Sequence, residues 1–65
     1  MLKSDVVDVQ GTFLGTAITY ADRDGVVFAA VHDAARALDG CRFASVQTAH
    51  EAAARRWHAA VALKS

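Results

Sequence analysis

The chain of 65 residues has a single cysteine, no proline and no net charge. A lone Cys41 cannot form an intramolecular disulfide, which excludes a common support of small domains. Seven basic residues balance seven acidic ones, and this argues against a dedicated nucleic-acid binder, because phosphate contacts depend on clustered Lys and Arg. Residues 1–10 contain Lys3, Asp5 and Asp8 and have no apolar stretch long enough for a signal peptide or a membrane span. We therefore expect a cytoplasmic protein with no membrane partner.

Large apolar side chains are few, although apolar residues make up 54% of the sequence. This apolar content, with only 22% charged residues, excludes a disordered chain. Because many of the apolar residues are alanines, we expect one thin core. We expect a single domain spanning residues 1–65. Small folds usually depend on disulfides, a metal or oligomerisation. With no disulfide available, self-association as a homodimer is the first expectation.

A hairpin is the strongest local signal. The turn-forming segment Asp22-Arg23-Asp24-Gly25 separates two β-rich segments, Thr12 to Ala21 and Val26 to His32. A type I turn with Gly25 in the left-handed region would close this hairpin with a bulge. Upstream, Asp5 to Val9 is rich in β-branched residues and could add a third strand. The sequence thus predicts an antiparallel sheet of two or three strands.

Helical signals follow the hairpin. Asp33 can cap a short helical turn that ends at Asp39-Gly40, with an irregular crossover as the alternative. A longer helix is predicted from about Val46 to Leu63, with Ser45 as one possible cap and Thr48-x-x-Glu51 matching a capping box. Its apolar stripe contains Val46, Ala49, Ala53, Trp57, Ala60 and Val61. The predicted fold class is α+β, a small antiparallel sheet with a C-terminal helix packed on one face.

Strand alternation predicts which sheet face the helix covers. If Asp22 pairs with Val26, then Tyr20 faces Phe28. The helix would then cover the face that carries Leu14, Ile18, Tyr20 and Phe28. The other face would expose an apolar interaction patch of Phe13, Ala17, Val27, Ala29 and Val31. We expect a second copy to cover this patch, and the alternative is that the segment from Asp33 to Phe43 folds back over it.

His50 falls inside the apolar stripe of the long helix, so we expect it to be half-buried. A neutral imidazole hydrogen-bonded to the backbone or to Tyr20 is the structural interpretation, and a functional base or ligand is the alternative. The possible metal ligands His32, Cys41, His50 and His58 have spacings that match no compact ligand pattern. No metal site and no cofactor are predicted.

Signals for catalysis are missing from the sequence. It has no Gly-rich phosphate loop, no nucleophile elbow and no carboxylate pair beside an obvious apolar pocket. Small oligomeric tautomerases use a proline directly after the initiator methionine, where this chain has Leu2. We therefore predict no enzyme activity. An active site completed around His50 at a subunit interface is the less favoured alternative.

Basic residues concentrate toward the C-terminus. Arg42, Arg55, Arg56 and Lys64 outnumber the one acidic residue of that region, Glu51. Arg55 and Arg56 point about 100° apart on a helix, so they do not form one ridge. These arginines are either solvated charges or candidate contacts to nucleic acid.

The run from Val26 through Ala54 resembles part of a known family. Asp39-Gly40-Cys41, followed by Thr48-Ala49-His50-Glu51-Ala52, is similar to the Gly-Cys and Thr-x-x-Glu-Ala helix start of HicB-type antitoxins. That family's Pro-Asp-Leu-Pro stretch before Gly-Cys is absent, the loop after Asp33 is longer, and the usual C-terminal DNA-binding segment has no counterpart. The resemblance implies a hairpin-plus-helix module that binds a partner protein such as a toxin.

These observations favour a non-catalytic interaction or regulatory module. It would act as a homodimer through the uncovered sheet face or through a free strand edge. The alternative is a nucleic-acid-associated or antitoxin-like accessory protein that uses Arg42, Arg55 and Arg56.

Overall fold

The computed structural model describes residues 2–21 and 24–64. It contains four strands, β1 (Leu2–Val9), β2 (Thr12–Tyr20), β3 (Val26–Ala30) and β4 (Arg42–Phe43), in one antiparallel sheet of order β1-β2-β3-β4. A 3₁₀ helix (Asp33–Leu38) connects β3 to β4, and the C-terminal helix α1 spans Val46–Lys64. The α+β prediction is confirmed, but the sheet has four strands instead of two or three. The fourth strand has two residues, too few to give a periodic pattern in the sequence.

The third strand considered at Asp5–Val9 is present and begins earlier, at Leu2. It pairs with β2 through a two-residue connection at Gln10 and Gly11, whose φ angles are 51° and 81°. Positive φ at both central positions is the type I′ geometry, which matches the right-handed twist of the two flanking strands. This tight turn aligns β1 and β2 over almost their whole length.

The hairpin between β2 and β3 forms, but its predicted register is wrong. Val26 pairs with Thr19 and Phe28 pairs with Ala17, so Phe28 does not face Tyr20. The predicted partner of Val26, Asp22, lies outside the described residues. Gly25 has a φ of 83°, as the turn prediction requires, and a Cβ there would lie 2.5 Å from the carbonyl oxygen of Phe43. Thr19 instead of Asp22 is the partner of Val26, so the observed register differs from the predicted one by three residues.

A β-bulge at Leu14 changes which β2 residues face inward. Val7 pairs with Gly15, while the next β1 residue, Asp8, pairs with Phe13. Leu14 is therefore the extra residue, and Leu14 and Gly15 are both buried although they are adjacent. The Leu14 carbonyl accepts hydrogen bonds from the N–H groups of Val31 (2.9 Å) and His32 (3.2 Å), which ties the bulge to the end of β3.

One face of the sheet packs against α1 and the 3₁₀ helix to form the core. The largest fully buried side chains are Phe28, Leu14 and Val7. The helices add only alanines to the fully buried set, at Ala35, Ala49 and Ala53. The prediction that α1 covers Leu14 and Phe28 is confirmed. The prediction for Ile18 and Tyr20 is wrong, because the shifted register turns both residues to the opposite face.

The 3₁₀ helix is capped by His32 instead of the predicted cap Asp33, which is its first residue. The Nδ1 atom of His32 accepts a hydrogen bond of 3.0 Å from the Ala34 N–H. Asp33 instead binds the Arg36 guanidinium at 2.8 Å on the surface. The segment does not fold back over the far sheet face, since Ala35 is fully buried in the core that it shares with α1.

Helix α1 begins at the predicted position, and Ser45 is its cap. The Ser45 Oγ accepts a hydrogen bond of 3.2 Å from the Thr48 N–H. The buried positions of α1 end at Ala53, with Trp57 partly buried, and Leu63 near the C-terminal end is 87% exposed. The described chain is correspondingly elongated, measuring 42 × 17 × 16 Å. The last turns of α1 thus extend beyond the core.

Candidate interaction surface

The sheet has an outer face that points away from α1. It is formed by every second residue of the four strands, Leu2, Ser4, Val6, Thr16, Ile18, Tyr20, Val27, Ala29 and Arg42. Leu2 and Val6 are 63% and 66% exposed. Among the described residues, neither α1 nor the 3₁₀ helix covers this face, because both pack with the opposite side of the sheet. The outer face is therefore a largely apolar surface that lacks a second layer.

The predicted interaction patch is placed on the outer face except for one residue. Val27 and Ala29 are partly buried on this face, and Phe13 and Val31, at its far end, are 47% and 64% exposed. Ala17 is wrongly placed in the prediction, since it is fully buried in the core. The bulge and the shifted register explain the error, because together they put Ala17 opposite Phe28.

β1 forms one edge of the sheet and pairs only with β2. It has eight residues, whereas β4 at the other edge has two. Lys3 is exposed and Asp5 is partly buried, and both lie on the side of β1 that faces the core. Among the side chains of residues 2–21 and 24–63 the one ion pair joins Arg36 to Asp33, so neither Lys3 nor Asp5 has an ion-pair partner there. A long open edge presents a row of backbone N–H and C=O groups that can pair with another strand.

Two open clefts meet at His32 and Asp33. The first, of about 390 Å³, is also lined by Arg36 and Asp39, and the second, of about 550 Å³, reaches Trp57 on α1. The polar groups of the first cleft bind neighbouring parts of the chain. Asp39 Oδ1 accepts from the Ala30 N–H at 2.9 Å, in addition to the His32 cap and the Arg36–Asp33 pair. These bonds fix the connection between β3 and β4.

His50 is exposed, so the prediction of a half-buried histidine is wrong. The buried stripe of α1 runs through Ala49 and Ala53, and His50 lies one residue outside it. Tyr20, its suggested partner, lies on the outer face of the sheet, on the other side from α1. Cys41 is partly buried, with its Sγ 3.8 Å from the Ala37 carbonyl oxygen. In the described part of the chain, no group of three His, Cys, Asp or Glu side chains could hold a metal ion.

The three candidate basic residues do not share a surface. Arg42 lies on the outer face, where it pairs with Val27. Arg55 and Arg56 are exposed on α1, which covers the opposite face. The sheet therefore separates one arginine from the other two.

Leu2 and Val6 are absent from the predicted patch, although they are among the most exposed apolar side chains of the outer face. The sequence pattern that indicates their outward position is the alternation of Leu2, Ser4, Val6 and Asp8 with the buried Val7 and Val9. A strand that begins at Asp5, as predicted, leaves out Leu2 and Ser4 and is too short to show this alternation.

No helix among the described residues has both the length and the apolar character needed to cross a membrane. The resemblance to HicB-type antitoxins has no support from a family match. Comparison of the chain with known protein families, with curated proteins and with solved structures finds no match to any of them.

Proposed function

We propose that the chain is a cytoplasmic, non-catalytic interaction module that acts as a homodimer. The observation that carries the proposal is the exposure of Leu2, Val6 and Phe13, three large apolar side chains on the outer face, and of Val31, which directly follows β3. Large exposed apolar surfaces are rare on soluble monomers and usually mark sites of association.

The thin core gives the energetic reason for association. Full burial of a large apolar side chain contributes about 1.5–3 kcal/mol. Among the described residues the large, fully buried side chains are Phe28, Leu14 and Val7, so the core of one copy is small. The net stability of a domain is only about 5–15 kcal/mol, and a second copy that covers apolar sheet residues adds a contribution on that scale.

The non-catalytic part of the proposal is supported by the partners of the polar groups in the clefts. His32 and Asp39 accept hydrogen bonds from backbone N–H groups, and Arg36 binds Asp33. Each of these groups holds the 3₁₀ helix in place. A general base must have a free acceptor within reach of a substrate proton, whereas His32 Nδ1 already accepts from the Ala34 N–H, and Asp33 and Asp39 are exposed carboxylates.

The test is the solution mass measured by light scattering over a dilution series, together with thermal unfolding. We expect a mass twice the 6.9 kDa of one chain, and an unfolding midpoint that rises with protein concentration. A mass of one chain at every concentration, with a constant midpoint, would contradict the proposal.

The alternative, a nucleic-acid-associated or antitoxin-like accessory protein, would use the basic residues. A mobility-shift experiment with DNA and with RNA at low salt separates the two functions. A salt-dependent shift that is lost on replacing Arg55 and Arg56 with Ala would favour the alternative. No shift with either nucleic acid is the outcome expected from the homodimer proposal.

A further inference from the structure

We propose that the free edge of β1 pairs antiparallel with β1 of a second copy, in the register that places Lys3 of each copy opposite Asp5 of the other. This inference rests on the proposed homodimer and specifies its interface. It follows from the direction of the backbone groups on β1 and from the spacing of its charges.

Hydrogen bonds on β3 establish where the backbone groups of the sheet point. The Phe28 N–H donates to the Cys41 carbonyl at 2.9 Å, and the Phe28 carbonyl accepts from the Gly40 N–H at 2.8 Å. Phe28 therefore points both backbone groups away from β2. Because these groups alternate along a strand, those of Val27 and Ala29 point toward β2.

The direction of the backbone groups on β2 and β1 follows from the same alternation. Val27 pairs with Ile18, so the backbone groups of Ile18 point toward β3 and those of its neighbours Ala17 and Thr19 point toward β1. Their partners on β1 are Asp5 and Lys3. The remaining residues of this segment, Leu2, Ser4 and Val6, therefore point their N–H and C=O groups out of the free edge.

These outward groups match a second β1 across a two-fold axis at Ser4. In this register Leu2 lies opposite the second copy's Val6, and Ser4 lies opposite the second copy's Ser4. Each such pair can exchange two backbone hydrogen bonds. Lys3 and the second copy's Asp5 then form the intervening pair without backbone bonds, in which opposite side chains lie closest.

The charges select this register from its neighbours. A slide of two residues in one direction places Asp5 opposite the second copy's Asp5, and a slide in the other direction places Lys3 opposite the second copy's Lys3. Like charges directly opposite each other are destabilising. A slide of one residue would place backbone groups that point out of the free edge opposite groups that point toward β2, so these pairs could not form hydrogen bonds. It would also place core-facing side chains opposite side chains of the outer face.

The apolar residues of the β1 edge favour the same register as the charges do. Leu2 and Val6 are both highly exposed on the outer face of a single copy. In the proposed register Leu2 of each copy lies beside Val6 of the other on the outer face, and the two ion pairs lie on the core-facing side of the sheet. The same pairing satisfies backbone groups that an open edge leaves unpaired.

Charge reversal tests the register. Asp5→Lys and Lys3→Asp each place like charges opposite each other at two symmetric positions, and the double variant Lys3→Asp/Asp5→Lys restores opposite charges. We expect each single variant to weaken dimerisation by on the order of tenfold to a hundredfold at low salt. The double variant should return to the wild-type mass. Circular dichroism would show whether each single variant keeps its fold.

Disulfide trapping tests the same register without charge repulsion. One chain carries Lys3→Cys and the other Asp5→Cys, and Cys41→Ser removes the natural thiol from both. The mixed dimer retains one Lys3–Asp5 pair while the two introduced thiols face each other within disulfide reach. We expect a covalent dimer in the oxidised mixture and much less in either variant alone.

The outcomes separate this inference from the proposed function. If the wild type is a dimer but all three charge variants keep its mass and the mixture does not cross-link, the register is overturned and the homodimer stands. Loss of the dimer in Val31→Glu alone would then place the interface on the outer face. A wild type that is a monomer at every concentration would overturn both.

Discussion

The Phe28 ring lies so close to Gly15 that a Cβ on this glycine would stand 2.7 Å from the Phe28 Cζ. The same added atom would clash with the carbonyl oxygen of Ala29. Gly15 follows the bulge residue Leu14 and is itself buried. Gly15 thus leaves room for the largest fully buried side chain of the core.

Gly15→Ala should therefore destabilise the fold by about 1–3 kcal/mol, as overpacking of a core does. Urea unfolding measures the change. Gly11→Asn is the matched control, since Gly11 has a φ of 81° but open space around its Cβ position, and Asn tolerates the left-handed region. A Gly15→Ala variant as stable as the wild type would contradict the close packing.

Two phenylalanines allow a paired test of the core. Phe28→Ala should cost about 3–5 kcal/mol because Phe28 is fully buried. Phe13→Ala should cost less than about 1 kcal/mol, because a dimer paired along residues 2–6 of β1 leaves Phe13 at the exposed end of the outer face. Denaturant midpoints at one protein concentration compare the two variants. Equal losses would show that Phe13 is buried in the assembly.

His32 supports the 3₁₀ helix through its ring nitrogen. His32→Ala removes the acceptor of the Ala34 N–H and should cost about 1 kcal/mol. His32→Asn should recover most of this loss, since Asn is a favourable cap. His50→Ala is the control, because His50 is exposed on α1 and should be near neutral. Thermal unfolding of the three variants decides whether His32 acts as a cap.

Substitutions at Ser45 and Thr48 test which of these two residues caps α1. Ser45→Ala should cost about 1 kcal/mol, since Ser45 Oγ accepts from the Thr48 N–H. Thr48→Ala leaves that acceptor in place and removes only the 3.0 Å hydroxyl–hydroxyl contact, so its cost should be smaller. The reverse order in chemical denaturation would favour the capping box at Thr48.

The fold class and several local features could be predicted from the sequence. Gly25 marks the second hairpin because few other residues accept its positive φ, and the apolar stripe of α1 predicts the helix within one residue at each end. These are local signals. They need no knowledge of what each element contacts.

The register and the core-facing side of β2 could not be predicted in this way. Phe13 and Leu14 are adjacent and both apolar, so alternation does not show which of them turns inward. The bulge at Leu14 depends on hydrogen bonds from Val31 and His32, which are distant in sequence. The misplacement of Ala17 in the predicted patch follows from this missing long-range information.

The buried surface of α1 consists mainly of Ala49, Ala52 and Ala53. Small side chains of one size fill similar spaces, so this surface alone gives the helix little resistance to sliding along its own axis. The larger Val46 and Trp57, one before and one after the alanines, both pack against the core. A shift of α1 along its axis would move both of these larger side chains out of their packing sites. The axial position of α1 therefore depends on Val46 and Trp57 more than on the alanines between them.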